Sequence, residues 1–178
     1  MFVFFVLIHE LSHMITGIVL GFKPKKFMIM PFGFKIQFKE IKIEKKVETK
    51  KIAVAVAGPL INLIIIGISA FLKLHINIIY INLIISLFNL IPIYPLDGGR
   101  ILKLILNIKF GNQKAYKISN RVSNISIIFL TALSSILVLY MKNISIIFVL
   151  AYLWYLAIRE NKKYKIIKRV DEIIKNNS

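Results

Sequence analysis

Two histidines and an acid stand together in an apolar stretch near the start of the chain: His9-Glu10-Leu11-Ser12-His13. Residues at i and i+4 share one face of a helix, so both imidazoles can bind a single zinc ion at ~2.0–2.1 Å. Glu10 follows the first histidine and projects close by without ligating. As a carboxylate it can take a proton from zinc-bound water, whose pKa falls towards ~7, and pass it to a leaving amine. The chemistry such a set performs is hydrolysis of an amide. The chain holds no cysteine, which excludes disulfides, thiolate metal sites and cysteine nucleophiles.

Two histidines leave zinc short of a third protein ligand. Six of the eight acids (Glu40, Glu44, Glu48, Glu160, Asp171 and Glu172) lie in basic, polar stretches. Only Glu10 and Asp97 fall within or at the edge of an apolar segment, where an ionisable group costs ~2.5–3.5 kcal/mol or more. Asp97 is therefore the candidate third ligand. Its other reading is a helix-end carboxylate paired with Arg100. It sits in Asn89-Leu90-Ile91-Pro92-Ile93-Tyr94-Pro95-Leu96-Asp97-Gly98-Gly99-Arg100. The prolines and glycines there break a helix and free backbone that lipid tolerates only around a cavity. His75 reads as interfacial and not as a ligand.

The elements that must carry these residues are apolar. The chain has 178 residues, 57% of them hydrophobic, and a mean hydropathy of +0.73, above the ordinary range for a soluble domain. Five apolar runs cover roughly residues 1–21, 52–72, 76–96, 124–141 and 144–158. About 20 helical residues cross a hydrocarbon core of ~30 Å, so the first four suffice and the last is short. In the last run Tyr152, Trp154 and Tyr155 suit an interfacial belt.

The net charge of +17 fits a membrane surface better than nucleic acid, because the cations crowd particular connections. Ten lysines lie between the first two runs, six Lys and Arg over 100–121, and seven from Arg159 onward, against single lysines at 73 and 142. Alternating sides places the three basic groups and the C-terminus in the cytoplasm. Met1 then lies at the outer face with only eight residues before His9. A signal peptide is not expected there, and a helix upstream of the first one is expected.

Between the first two runs, Phe34-Lys35-Ile36-Gln37-Phe38-Lys39 and Ile41-Lys42-Ile43-Glu44 alternate strictly, with a turn signal at Pro31-Phe32-Gly33. Period-two patterning predicts a β-hairpin at the inner face of the membrane, over about 27–46. Residues 101–110 form a short amphipathic stretch suited to the interface.

Three ordered motifs carry a family resemblance: His9 to His13, Gly58-Pro59-Leu60-Ile61-Asn62, and Asn89 through Pro95-Leu96-Asp97-Gly98-Gly99. They resemble the signatures of site-2 proteases, peptidase family M50, and are most similar to the stage IV sporulation protease FB group. The resemblance spans roughly residues 1–158. It implies a zinc ion on His9, His13 and Asp97 with Glu10 as base, and substrate contacts at Asn62, Asn89, Phe32 and Gly33. Read without the resemblance, Asn62 is equally a helix-packing contact. Ser12 stands where the family usually has glycine.

The expected fold class is thus an all-α polytopic membrane protein, with about five transmembrane helices and a small membrane-associated β-hairpin between the first two. Residues 1–158 make an intramembrane metalloprotease domain with its catalytic core at 1–110, and 159–178 a basic cytoplasmic tail. The expected partners are the lipid bilayer, a membrane-associated protein substrate and membrane-protein inhibitors, with no nucleic acid. The competing function is a membrane zinc-binding or transport protein without hydrolysis. Glu10 separates the two, since transport needs no base beside the first histidine.

Overall fold

The computed structural model describes residues 1–30, 33–38, 47–141 and 145–176. They divide into two units, Met1–Ile91 and Pro92–Ser178.

The first unit opens with helix α1, Phe2–Val19. Its end is set by Gly21, whose φ of +87° is open to glycine at no steric cost. There the Phe22 amide donates back to the Gly17 carbonyl at 2.9 Å, closing the last turn. Strands β1 (Pro24–Met30) and β2 (Gly33–Phe38) follow and pair antiparallel, from Pro24 opposite Phe38 to Met30 opposite Gly33. Helix α2, Val47–Phe71, begins with Glu48 in its first turn, where a carboxylate suits the helix dipole. Phe22, Val47 and Val54 pack into a small buried cluster where α1 ends and α2 begins. His75 proves to be the cap of helix α3, Ile76–Leu90, its side chain accepting from the Asn77 amide at 3.3 Å. That helix stops where it must. Pro92 forbids helical backbone at the residue before it, and Ile91 is extended at φ −58° and ψ 132°.

The second unit consists of helices α4 (Asp97–Phe110), α5 (Asn112–Met141) and α6 (Ser145–Asn176). Gly111, at φ +79°, separates α4 from α5 with a single residue. Ala115, Ile127, Leu153, Leu156 and Ala157 supply its buried apolar contacts. Trp154 donates to the Thr131 hydroxyl at 3.0 Å, and Asn124 and Asn161 exchange amide hydrogen bonds, tying α5 to α6.

This architecture corrects the expected fold class. There are six helices among the described residues, and two of them, Phe2–Val19 and Val47–Phe71, are long and apolar enough to cross a membrane. The third expected span, 76–96, is cut by its prolines to the 15 residues of α3, about 22 Å of helix. The fourth and fifth runs are segments of the longer α5 and α6, which also take in the basic residues on either side. Residues 142–144, which enter the expectation for the fifth, lie outside the described residues. The β pairing occupies 24–38 and not 27–46; residues 39–46, with the second alternating stretch, lie outside the described residues.

The burial pattern is inverted relative to a water-soluble bundle. On α1, Phe4, Leu11, Ile15 and Ile18 are exposed while His9 and His13 are buried. On α2 and α3, Leu63, Ile64, Ile84 and Leu87 are exposed while Asn62, Ser69, Asn82 and Ser86 are buried. Apolar side chains outside and hydrogen-bonded polar ones inside is the arrangement that a lipid solvent favours.

Candidate metal centre

The centre is built where α1 crosses α2. His9 and His13, one helical turn apart, both turn inward and meet edge to face, ring planes at 87° and centroids 4.9 Å apart. Their outer nitrogens are already committed. His13 Nδ1 lies 2.7 Å from the Val54 carbonyl oxygen, and His9 Nδ1 lies 2.7 Å from Asn62 Oδ1. A carbonyl oxygen can only accept, so His13 Nδ1 must carry the proton. The Asn62 amide is oriented by its other end, which donates from Nδ2 to Asn82 Oδ1 at 3.0 Å. Its oxygen therefore faces His9, whose Nδ1 carries the proton too.

The two Nε2 atoms then face each other, 3.3 Å apart. Two ligands on a tetrahedral ion at ~2.0–2.1 Å stand about 3.3 Å apart. The pair thus fits zinc in donor type and in spacing, with an outer hydrogen bond on each ring as zinc-bound histidines ordinarily have.

The crossing needs a glycine. A Cβ built on Gly58 would lie 2.4 Å from His13 Nε2 and 2.6 Å from His9 Cε1. Pro59 follows, with no N–H for the carbonyl four residues back, and its own carbonyl accepts from Ser86 at 3.4 Å. The Gly58-Pro59 pair lets α2 approach the imidazoles closely, and Asn62 reaches His9 one turn further on. Glu10 is half-buried. Ser12 points its hydroxyl back to the His9 carbonyl at 2.6 Å, a contact within the helix.

In the second unit Asp97 is the first residue of α4 and is 5% exposed. Arg100 Nη1 lies 3.4 Å from its Oδ1. The segment leading to Asp97 folds tightly over the first turn of α4. A Cβ on Gly99 would lie within 2.5–2.7 Å of the Ile93 and Tyr94 backbone. Ser123 pins that segment from α5, accepting from the Tyr94 amide at 3.2 Å and donating to the Pro92 carbonyl at 3.3 Å.

Among the described residues, His9, His13 and Asp97 are the buried members of the His, Asp, Glu, Lys and Arg set. The structure brings His9, His13 and Asn62 together by direct contact. Asn62 is fully buried behind His9. Asn89 lies on the last turn of α3 and donates to the Ile85 carbonyl at 3.0 Å. Gly33 opens β2 opposite Met30, and Phe32 lies outside the described residues.

Motif reading did not name the Val54 carbonyl or Asn82 in the first unit, nor Ser123 beside the segment that leads to Asp97 in the second. Backbone carries no sequence signal. Asn82 did carry one, since Asn82, Ser86 and Asn89 follow each other at spacings of four and three along an otherwise apolar helix, marking one polar face.

The family model described as peptidase family M50 matches residues 1–77 and 66–133. A zinc metalloprotease of Methanocaldococcus jannaschii is 32% identical over 182 residues, covering 96% of this chain and 50% of its own length. Stage IV sporulation protein FB of Bacillus subtilis is 31% identical over 127 residues, covering 66% of this chain and 43% of its own length. The chain thus spans about half, or less, of the length of these relatives. Among solved structures, the site-2 protease from Methanocaldococcus jannaschii superposes with a TM-score of 0.65 at 26% identity, over 89% of this chain and 75% of that one.

Proposed function

This chain belongs to peptidase family M50, and we propose that it is an intramembrane zinc metalloprotease acting on peptide bonds of membrane-associated proteins. The observation that carries this reading is the pair of buried imidazoles, one helical turn apart, whose Nε2 atoms face each other at 3.3 Å inside an apolar helix crossing. His9 and His13 hold the ion from α1. We assign the third position to Asp97, which is the buried carboxylate among the described residues and the only acid besides Glu10 that the sequence places by an apolar segment. Bound zinc supplies Lewis acidity, lowering the pKa of water and polarising a carbonyl.

The chain's own residues do the rest. Val54 and Asn62 hold both rings by Nδ1, so that both Nε2 atoms turn to the same point. Glu10, next to His9, accepts the proton of the attacking water and delivers it to the departing amine. Helix crossings dressed in exposed apolar side chains keep bulk water from the buried imidazoles, so that charges there interact strongly. Asn89 and the β1–β2 pair are assigned to substrate. Among the described residues the sheet has two strands, and a strand edge suits an extended peptide, which adds as a further strand.

The basic connections and the C-terminus face the cytoplasm by the distribution of lysine and arginine. The substrate class is a membrane-tethered regulatory protein cleaved near that face, such as a sigma-factor precursor or an anti-sigma factor. Co-expression with candidate tethered substrates tests the proposal. Cleavage by the wild type and none by Glu10→Gln is the expected result; undiminished cleavage by Glu10→Gln would reject it.

A further inference from the structure

We propose that Asn82 is a positioning residue that selects the tautomer of His9 from the third helix. The inference rests on the zinc reading of the His9/His13 pair and adds a residue that neither the three motifs nor the direct ligand contacts include. Asn82 touches neither imidazole. It acts through Asn62.

The argument runs outward to inward along one chain of hydrogen bonds. Asn82 Nδ2 donates to the Ile78 carbonyl at 2.8 Å, one turn back on its own helix. A backbone carbonyl cannot donate, so this contact fixes which end of the Asn82 amide is which. Asn82 Oδ1 is therefore turned towards α2, where it accepts from Asn62 Nδ2 at 3.0 Å. That contact in turn fixes the Asn62 amide, and Asn62 Oδ1 meets His9 Nδ1 at 2.7 Å. His9 Nδ1 must then be the donor, and Nε2 is the ring nitrogen turned towards His13 Nε2, 3.3 Å away. The orientation of a ligand on α1 is set by a carbonyl on α3, and nothing in the sequence of bonds is free to reverse.

Burial gives this polarity its force. Asn62 and Asn82 are both 0% exposed, so no solvent competes to satisfy a flipped amide, and a misdirected donor or acceptor would be left unpaired at a cost of ~1–3 kcal/mol. An asparagine amide on its own has no preference between its two ends. Without Asn82, Asn62 can turn its Nδ2 towards His9, which makes Nδ1 the acceptor and moves the His9 proton to Nε2, the atom that has to bind metal. His13 has no such weakness, because its Nδ1 partner is the Val54 carbonyl directly. The two ligands are thus held by unequal means, one by backbone and one by a relay of two side chains.

The test uses the detergent-solubilised full chain in three forms: wild type, Asn82→Leu, which removes the amide at similar volume, and Asn82→Asp, which keeps an oxygen facing Asn62 Nδ2. Zinc affinity is measured by chelator competition. In parallel, 15N-histidine spectra of the metal-free proteins, assigned by replacing each of the three histidines, report the tautomer of His9. Asn82→Leu is expected to bind zinc ~10–100-fold more weakly, the usual effect of losing an outer partner of a ligand, with His9 shifting from Nδ1–H towards Nε2–H. Asn82→Asp is expected to recover most of the affinity and the wild-type tautomer. A role in packing alone would lower the melting temperature of both variants and leave the tautomer unchanged, and that result overturns the proposal.

Zinc affinity unchanged in a folded Asn82→Leu protein also overturns it, while leaving the metal centre standing. Should Asn82→Leu fail to fold, the wild-type spectrum decides, since a metal-free His9 found as Nε2–H contradicts the relay outright. A wild-type chain that binds no zinc at all overturns the metal reading and this inference with it.

Discussion

His9 Nε2 and His13 Nε2 stand 3.3 Å apart, and both Nδ1 atoms are engaged by oxygen acceptors at 2.7 Å. That spacing matches two ligands of one tetrahedral zinc ion at ~2.0–2.1 Å. It makes the centre a place where binding energy is returned to folding: a ligand that binds only the folded state stabilises it by about 2.7 kcal/mol at one hundred times its dissociation constant. Stripping zinc with a chelator is therefore expected to lower the melting temperature of the detergent-solubilised protein, and restoring zinc to recover it.

Glu10→Gln separates holding the metal from using it. Glutamine keeps the size of the side chain and leaves His9 and His13 untouched, so zinc content is expected to stay at one per chain. Proton transfer is lost, and positioned bases contribute roughly 10²–10⁴-fold. Cleavage of a tethered substrate should fall by that factor while metal analysis shows no change. A protein that carried zinc for transport would show no effect of this substitution on its metal traffic.

Gly58→Ala has two consequences of opposite sign, which makes it informative. In an ordinary helix interior, alanine is favoured over glycine by about 1 kcal/mol. Here the added carbon would lie 2.4 Å from His13 Nε2 and 2.5 Å from its Cε1. Either α2 moves away or the ring leaves the place where it meets its partner. Zinc binding is expected to drop sharply, measured by metal analysis after purification. A variant that is more stable and still loads zinc fully would show that α2 does not approach the imidazoles this closely.

The residues proposed to hold and use zinc could be named from sequence because the chemistry needs rare residue types at fixed spacing. His9, Glu10, His13 and Asp97 could be named from an apolar setting in which titratable groups are expensive. What supports them was not legible, for a physical reason. Val54 contributes only its carbonyl, Asn82 acts across two helices, and Ser123 bridges backbone atoms of residues 92 and 94. The spans were overcounted for a related reason. Hydropathy does not register where a helix must end, and Pro92 ends α3 at 15 residues inside a run that reads as 21. Likewise the continuation of α6 to Asn176 joins an apolar run and a basic one that composition separates at Arg159.

Asp97→Asn tests the third ligand. Asparagine preserves the shape of the side chain and an oxygen for Arg100, which lies 3.4 Å away, but removes the charge that zinc requires. If Asp97 serves only as the partner of Arg100 at the start of α4, the loss is that of one partly exposed ion pair, up to about 1 kcal/mol, with zinc unaffected. As a ligand, its loss should reduce zinc content well below one per chain and abolish cleavage. Full zinc occupancy in Asp97→Asn would remove it from the ligand set while leaving the histidine pair intact.

Lys103 offers a prediction that starts from the second unit. Its ammonium lies 3.3 Å from the centroid of the Tyr116 ring, 4.9 Å from that of Tyr94 and 3.5 Å from Glu160 Oε1. One cation thus ties together α4, α5, α6 and the segment that leads to Asp97. Lys103 and Glu160 are mostly withdrawn from solvent, at 18% and 13% exposure, so screening by water is weaker than for a surface pair. Lys103→Met keeps the aliphatic stem and deletes the charge; Glu160→Gln deletes the other partner. Removing Lys103 leaves Glu160 with the more exposed Lys163, 3.8 Å from its Oε2, and removing Glu160 leaves Lys103 with the two rings, so a double-mutant cycle should return a coupling of about 0.5–2 kcal/mol. Because the clamp acts on the element that begins with Asp97, Lys103→Met is also expected to weaken zinc binding modestly while Glu10→Gln does not. Thermal melting with and without saturating zinc measures both effects. Independence of the two substitutions would mean that α6 is held to α4 by apolar packing and that the charges merely face each other.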